Sequence, residues 1–365
     1  MKKVISTAMV VAMALSLFTA CGSSGSSTAT TAAAAETTAA AAETAAAAET
    51  TAAPAADSGE KIKVKIAHAG TEESMMHKAW LVAKDYMEAN GNFECTIYPN
   101  GTMGSDVELA QAVQNGEIQM SACSTSNLTT FNQDLEVFSL PFAFASEEVA
   151  YKVLDGDFGQ KMLDSMDAAG LKGLGYFESC TYRELSSKKP VHSPDDLKGV
   201  KIRVMQSSLH TAIWEALGAI PSAIPFGELY TALQTGTVDA QDNPLELVIA
   251  QGFYEVQDCI TLTNHIFQVG MNTCNPDWFN SLSAENQQVV LDAIKAGVEF
   301  QRKEAAEQKD GYIQTLKDNG LEVIELTSDE LAAFQGKMGA AEQVIVNDIG
   351  SELVDELKAA IEAAQ

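Results

Sequence analysis

Positive charge is scarce in this chain of 365 residues. Its 23 lysines and arginines stand against 50 aspartates and glutamates, a formal net charge of −27. Nucleic-acid binding asks for a basic face, so that class is excluded. A polyanion drawn in by the bulk field is excluded with it. An anionic ligand would have to be held by a local, focused cation, which gives each core arginine added weight. Metal and redox signatures are also missing. The five histidines include no HxH or HExxH spacing, and the six cysteines form no CxxC. There is no P-loop, no GxSxG elbow and no dinucleotide fingerprint. Aromatic residues make up only 7% of the chain. One long apolar run exists, at the N-terminus, and no other stretch is long and apolar enough to span a bilayer.

That run, from Val4 to Ala20, follows Lys2 and Lys3 and reads as a secretory signal rather than a spanning helix. It ends Leu17-Phe18-Thr19-Ala20-Cys21, which resembles a bacterial lipobox with cleavage before Cys21 and lipid on its sulfur. Residues 1–20 are then a lipoprotein signal peptide. Residues 21–59 are built almost wholly of Ala, Thr, Glu and Ser and cannot form a core, so they are expected to be a disordered tether. A coil of that length reaches about 35 Å. Two or more acyl chains on Cys21 would anchor the protein stably, making lipid its only membrane contact. Five cysteines remain beyond Cys21, an odd number. They read as buried free thiols, with a single disulfide as the alternative.

The rest of the chain alternates strand and helix, which implies parallel sheets with right-handed crossovers. The segment Asp196–Asn243 shows the pattern most clearly. Lys201 to Met205 is a short strand. Ser207 and Ser208 can cap a helix that Gly218 ends. A strand at Ala223 to Pro225, a helix from Gly227 to Gln234 and a strand opening at Thr237 to Ala240 follow. Upstream, Lys61–His68 and Phe93–Tyr98 read as strands. Glu73–Asn90 reads as a helix with Trp80, Ala83 and Met87 on one face, Asp106–Gln114 as a helix, and Glu117–Ala122 as a strand.

The chain also repeats itself. Glu108 to Met120 (ELAQAVQNGEIQM) and Glu228 to Ala240 (ELYTALQTGTVDA) share E-L-x-x-A-apolar-Q-x-G-x-apolar, 120 positions apart. Two α/β lobes of one topology are therefore expected: lobe I over 60–180 with 269–308, lobe II over 181–268 with 309–365. Leu171–Tyr182 and Thr261–Met271 read as the crossings. Phe131–Phe144 reads as an apolar loop, Ala284–Leu316 as a helix spanning both lobes, and Ala341–Ala364 as a closing helix. Ligands of such proteins sit between the lobes, beyond the carboxyl ends of the strands. Those ends offer His68–Thr71, Ser124, Thr125 and Asn127 from lobe I. Lobe II offers Arg203, Gln206, Asp242 and Asn243. His77, on the first helix, is a candidate contact or a packing residue.

At these residues the chain resembles the solute-binding proteins of TRAP transporters, the DctP-like family. The resemblance is carried by YPNGTMG at 98–104, DLKGVKIRV from Asp196, PFGELYTALQTGTVDAQDNP from Pro225, and TNH at 263–265. It extends over essentially the whole chain after the tether and implies a two-lobed, periplasmic-binding-protein-like α/β fold. It implies that Arg203 forms a two-pronged salt bridge to a ligand carboxylate, that Asn243 contacts the same carboxylate, that Phe226 lines the pocket, and that Arg183 contributes a second cation. The usual DGQEN is replaced by Asp239-Ala240-Gln241-Asp242-Asn243, which leaves Asn243 in place. The implied ligands are organic acids: C4-dicarboxylates, sialic acid, uronates and other sugar acids. The implied partners are ion-gradient-driven membrane subunits, with no cofactor. A ligand-sensing protein serving a receptor and, further off, a secreted enzyme are the alternatives on the same scaffold.

Overall fold

The structure, a computed structural model, describes residues 59–177 and 181–365. The signal peptide, Cys21, nearly all of the tether and Cys180 lie outside the described residues. Eleven strands, β1 (Ile62–Ala67), β2 (Phe93–Tyr98), β3 (Met120–Ser124), β4 (Lys172–Tyr176), β5 (Tyr182–Ser187), β6 (Lys201–Val204), β7 (Ile220–Ala223), β8 (Ala240–Asn243), β9 (Cys259–Phe267), β10 (Gly270–Cys274) and β11 (Glu322–Glu325), form two sheets. One has the order β2-β1-β3-β10-β4 and the other β11-β9-β5-β8-β6-β7.

The repeat seen in the sequence is built into these sheets. β2-β1-β3 and β7-β6-β8 are both parallel triplets with the first strand in the middle. Each triplet is then extended by an antiparallel strand from elsewhere in the chain. That strand is β10 beside β3 in the first sheet and β5 beside β8 in the second. The chain therefore passes between sheets from β4 to β5 and again at 268–269. The crossings lie side by side: Gln268 N donates to Thr181 O at 2.8 Å, and Tyr182 pairs with Phe267.

Local sequence explains most elements. Ser74 caps the helix Met75–Asn90 by accepting from His77 N, and Trp80, Ala83 and Met87 are its buried face. The long helix Ala284–Asp318 lies along it, and also meets the helix Leu245–Ala250, β4 and β11, so it bridges both sheets. The two helices approach closely at Gly297, where a Cβ would stand 3.0 Å from the Ala79 carbonyl oxygen. Only a glycine leaves that gap without displacing a neighbour.

Several boundaries differ from expectation. β3 and β8 both begin three residues later than read, because each follows a tight turn at a glycine with positive φ, Gly116 (75°) and Gly236 (70°). The second strand of lobe II is Ile220–Ala223 rather than Ala223–Pro225, paired on Lys201–Val204. Leu171–Tyr182 is not one strand: it divides between β4 and β5, which belong to different sheets. Within the apolar loop, Gln133–Ser139 forms a 3-10 helix that buries Leu135, Val137 and Phe138. Ala341–Ala364 is two helices, Gly339–Ile349 and Ser351–Ala364, broken at Gly350, whose φ of 84° suits glycine. The first packs on the helix Ser208–Ala216 and the second on Glu147–Asp155. The cysteines described (Cys95, Cys123, Cys259 and Cys274) are buried, and none is in a disulfide with another of them.

Candidate functional site

The strand ends of both sheets converge on one cavity. It is a narrow cleft, with about 380 Å³ between its lining atoms when the part open to solvent is counted. Lobe I contributes Ala69, Gly70, Met76, Asp106, Ser124 and Asn127. Lobe II contributes Arg183, Arg203, Met205, Phe226, Asn243 and Leu247. The lobes touch around it. Asn127 Oδ1 accepts from Gln206 N at 3.3 Å, Ser124 Oγ meets Met205 Sδ at 3.5 Å, and Thr71 Oγ1 donates to Ala250 O at 3.2 Å. Glu246 Oε1 accepts from Met75 N, the first residue of the lobe I helix, at 2.5 Å, where the helix dipole favours a carboxylate.

The two arginines differ in how much of each fork is free. Arg183, on β5, is fully engaged. Its Nε donates to Asp242 Oδ2 at 2.5 Å, its Nη2 to the Asp242 carbonyl and its Nη1 to Gln268 Oε1 at 2.5 Å. Arg203, on β6, uses only Nε, which donates to Ile224 O at 2.8 Å. Its buried Nη1 has no hydrogen-bond partner. The Phe226 ring centroid lies 5.9 Å from its Cζ, close enough for a cation–π contact, and Phe226 in turn packs edge-on to Phe253.

Electrostatics sharpen the contrast. Burial opposes ionisation of Asp242, but the Arg183 guanidinium and the hydrogen bond from His265 outweigh it and hold this carboxyl well below the usual range. Arg183 and Asp242 are therefore a buried ion pair made through Oδ2, with Asp242 Oδ1 left without a hydrogen-bond partner. Burial, with the Arg183 charge beside it, lowers Arg203 to about 10. A buried cation with an unused donor and a like charge for a neighbour is completed by an anion. Across the cavity, burial raises the Asp106 carboxyl above its usual range, against hydrogen bonds from Asn127 and the Ser124 main chain. Asn127 Nδ2 donates to Asp106 Oδ2 at 2.7 Å.

The sequence candidates divide cleanly. Arg203, Asn243, Arg183, Phe226, Ser124 and Asn127 line the cavity; Thr125, His77 and Gln206 do not. Thr125 turns both its N–H and its hydroxyl onto Val269 O, at 3.0 and 3.1 Å, so it fastens β3 to the second crossing. His77 pairs with His68, Nδ1 to Nε2 at 3.0 Å, in a buried couple behind the wall. Gln206 stands in the outer mouth with Glu108, Glu228 and Phe226. Among the described residues no group of three or more His, Cys, Asp and Glu is placed to hold a metal ion.

The chain matches Bacterial extracellular solute-binding protein, family 7, over residues 66–347. It belongs to this family, the DctP family. A 2,3-diketo-L-gulonate-binding periplasmic protein of Escherichia coli is 31% identical over 315 residues, 83% of this chain and 95% of that one. A C4-dicarboxylate-binding periplasmic protein of Rhodobacter capsulatus is 31% identical over 305 residues, 82% of this chain and 91% of its own. Among solved structures, the sugar acid binding protein of Advenella mimigardefordensis in complex with galactonate superposes with a TM-score of 0.81. It is 30% identical and covers 84% of this chain and 99% of its own. The two-lobed α/β architecture is thus that of the TRAP solute-binding proteins.

Against that family background, the residues that the sequence reading missed are Asp106, Met76 and Leu247, whereas Ala69 and Gly70 fall within the strand end His68–Thr71 expected there. Asp106 had a signal. In the internal repeat Glu108 aligns with Glu228, so Asp106 aligns with Phe226, and both line the cavity. Met76 and Leu247 carry no chemical signature and are placed only by the fold.

Proposed function

We propose that this family 7 protein is the extracytoplasmic binding component of a TRAP transporter and that it captures a hydroxylated monocarboxylate of the sugar-acid class. Its cargo passes to ion-gradient-driven membrane subunits, with Cys21 as the lipid anchor and residues 21–59 as the tether. The observation that carries the reading is the unpaired, buried Nη1 of Arg203, a residue in the wall of this cavity. A carboxylate there supplies the missing acceptor. Asn243, at the end of β8, lines the same cavity; its Nδ2 donates one hydrogen to Gln241 Oε1 and has a second to share with that carboxylate. Asp242 already neutralises Arg183, so one cation is left for the ligand and one carboxylate satisfies it. The opposite wall offers Ser124, Asn127 and Asp106, groups suited to hydroxyls rather than to a second carboxylate. Ligand contacts on both lobes favour the closed form over the open one, which is what couples capture to closure.

A thermal-shift series on residues 59–365 with D-galactonate, D-glucuronate and succinate tests this. Binding to the folded state alone stabilises by about 2.7 kcal/mol at a hundredfold excess over Kd, or roughly 5 °C for a chain of this size. Sugar acids are expected to give that shift and succinate a smaller one. Succinate binding more tightly than either sugar acid would overturn the ligand class. A folded protein that responds to no organic acid would overturn the site.

A further inference from the structure

Asp106 is the one carboxyl among the cavity-lining residues, and it faces the place where an anion is to bind. It opens the helix Asp106–Gln114, capped by Ser105. The residue as a whole keeps partial exposure, yet its carboxyl is enclosed. Asn127 Nδ2 donates to Oδ2, the Ser124 main chain supplies a second hydrogen bond, and Cys123 Sγ lies on its carbonyl oxygen. The charged group that acts on it from the other lobe is Arg203; Arg183, behind, is closed on Asp242. On its own helix Glu108 turns away to Ser105 N and Oγ.

We infer that ligand capture is coupled to uptake of one proton by Asp106, and that the neutral acid then donates a hydrogen bond to the bound solute. The inference rests on the assignment of the cavity to a carboxylate ligand. In the ligand-free site Arg203 is the cation that favours the Asp106 anion. A carboxylate on Arg203 Nη1 cancels that field and places a like charge in the same cavity. Both effects favour protonation, adding to the burial that already raises this carboxyl. The balance is simple: one solvent proton passes to the Asp106 carboxyl, and no bond in the ligand is made or broken. Oδ2 remains the acceptor for Asn127, which leaves Oδ1 to carry the new hydroxyl as a donor. Asp106 and Phe226, equivalent in the internal repeat, thus take opposite parts: one flanks the cation, the other answers its charge.

The sign follows from linkage. If binding raises the Asp106 pKa, affinity grows as pH falls between the free and bound values, by up to tenfold per pH unit. A sugar-acid carboxyl, near the ordinary pKa of about 3.5, stays ionised from pH 5.5 to 8 and adds nothing to the slope. Titration calorimetry with D-galactonate and D-glucuronate, at several pH values in buffers of differing ionisation enthalpy, counts the protons. Wild type is expected to take up protons with the ligand, approaching one per ligand where the pH lies between the free and bound values. Asp106→Asn keeps an acceptor for Asn127 but has no proton to take up, so at whatever affinity it retains it is expected to show no uptake and a flat pH profile. Thermal unfolding checks that this variant is folded. Binding by wild type without proton uptake, or uptake that persists in Asp106→Asn, overturns the coupling and leaves the ligand assignment standing. Failure of wild type to bind any organic acid overturns both.

Discussion

Replacing Arg203 by methionine separates ligand binding from stability in a way that an ordinary buried arginine would not. Burial and Arg183 lower its pKa from 12.5 to about 10. Near pH 7, below both values, it is charged in the folded and unfolded states, so the whole cost of that shift is present. It amounts to roughly 3 kcal/mol. Methionine removes this cost and fills much of the same volume with a flexible apolar chain. Against that stand the hydrogen bond from Nε to Ile224 O, worth about 1.5–3 kcal/mol with its acceptor left unpaired, and the contact with Phe226, about 0.5–1 kcal/mol. The terms nearly cancel, so the ligand-free variant is expected to unfold within about 1 kcal/mol of wild type, measured by urea titration. Binding should collapse, because a carboxylate entering the cavity loses its partner and stays desolvated. A loss of about 3–5 kcal/mol is expected, two to three decades or more in Kd by calorimetry. A variant that loses 3 kcal/mol of ligand-free stability, or that binds sugar acids within threefold of wild type, refutes the reasoning.

Asp242→Asn is the counterpart: it leaves Arg183 without its charge partner and should cost about 3–5 kcal/mol in ligand-free stability, read as a fall in the urea midpoint. Asp242 has its folded pKa depressed, so its contribution is complete above pH 4 and fades only in stronger acid; a wild-type to Asn difference that vanishes between pH 5 and 7 contradicts this. Glu184, buried on β5 beside Thr263 and Asn264 N, behaves oppositely. Burial pushes it up to about 8, so stability should fall by up to about 1.4 kcal/mol per pH unit as pH rises from about 4.5 through 8. Glu184→Gln should flatten that slope, and an unchanged slope in urea titrations across this range rejects the assignment.

The architecture was legible because it is repeated. Each lobe spells strand, helix, strand, helix, strand, and the E-L-x-x-A-apolar-Q-x-G unit marks the same helix-to-strand turn twice, so one reading checks the other. Boundaries were lost where chirality decides them. Gly116 and Gly236 spend extra residues on left-handed turns, and Gly350 cuts a helix that periodicity alone carries through. β8 was hard to read for another reason. Ala-Gln-Asp-Asn has little strand propensity, and it forms a fully buried strand because Arg183, Ser186 and His265 on its neighbours absorb its polar side chains.

The site was legible in kind and not in division of labour. A sequence with few cations directs attention to Arg183 and Arg203 alike, and both reach the cavity. What distinguishes them is a hydrogen-bond count that no motif records: Asp242 and Gln268 use up one fork and leave the other open. Arg183 thereby acts on Arg203 rather than on a ligand: its charge, held in place by Asp242, disfavours the neighbouring guanidinium cation, which is the one left open to an anion in the proposed site. Asp106 completes the set from the far lobe. Its position could be found by sliding the repeat onto itself, yet its role could not, because a carboxyl helping to bind an acid makes sense only once its burial and its distance from solvent are known. The charge that the chain carries in such excess outside is, at this one place, the quantity most closely rationed.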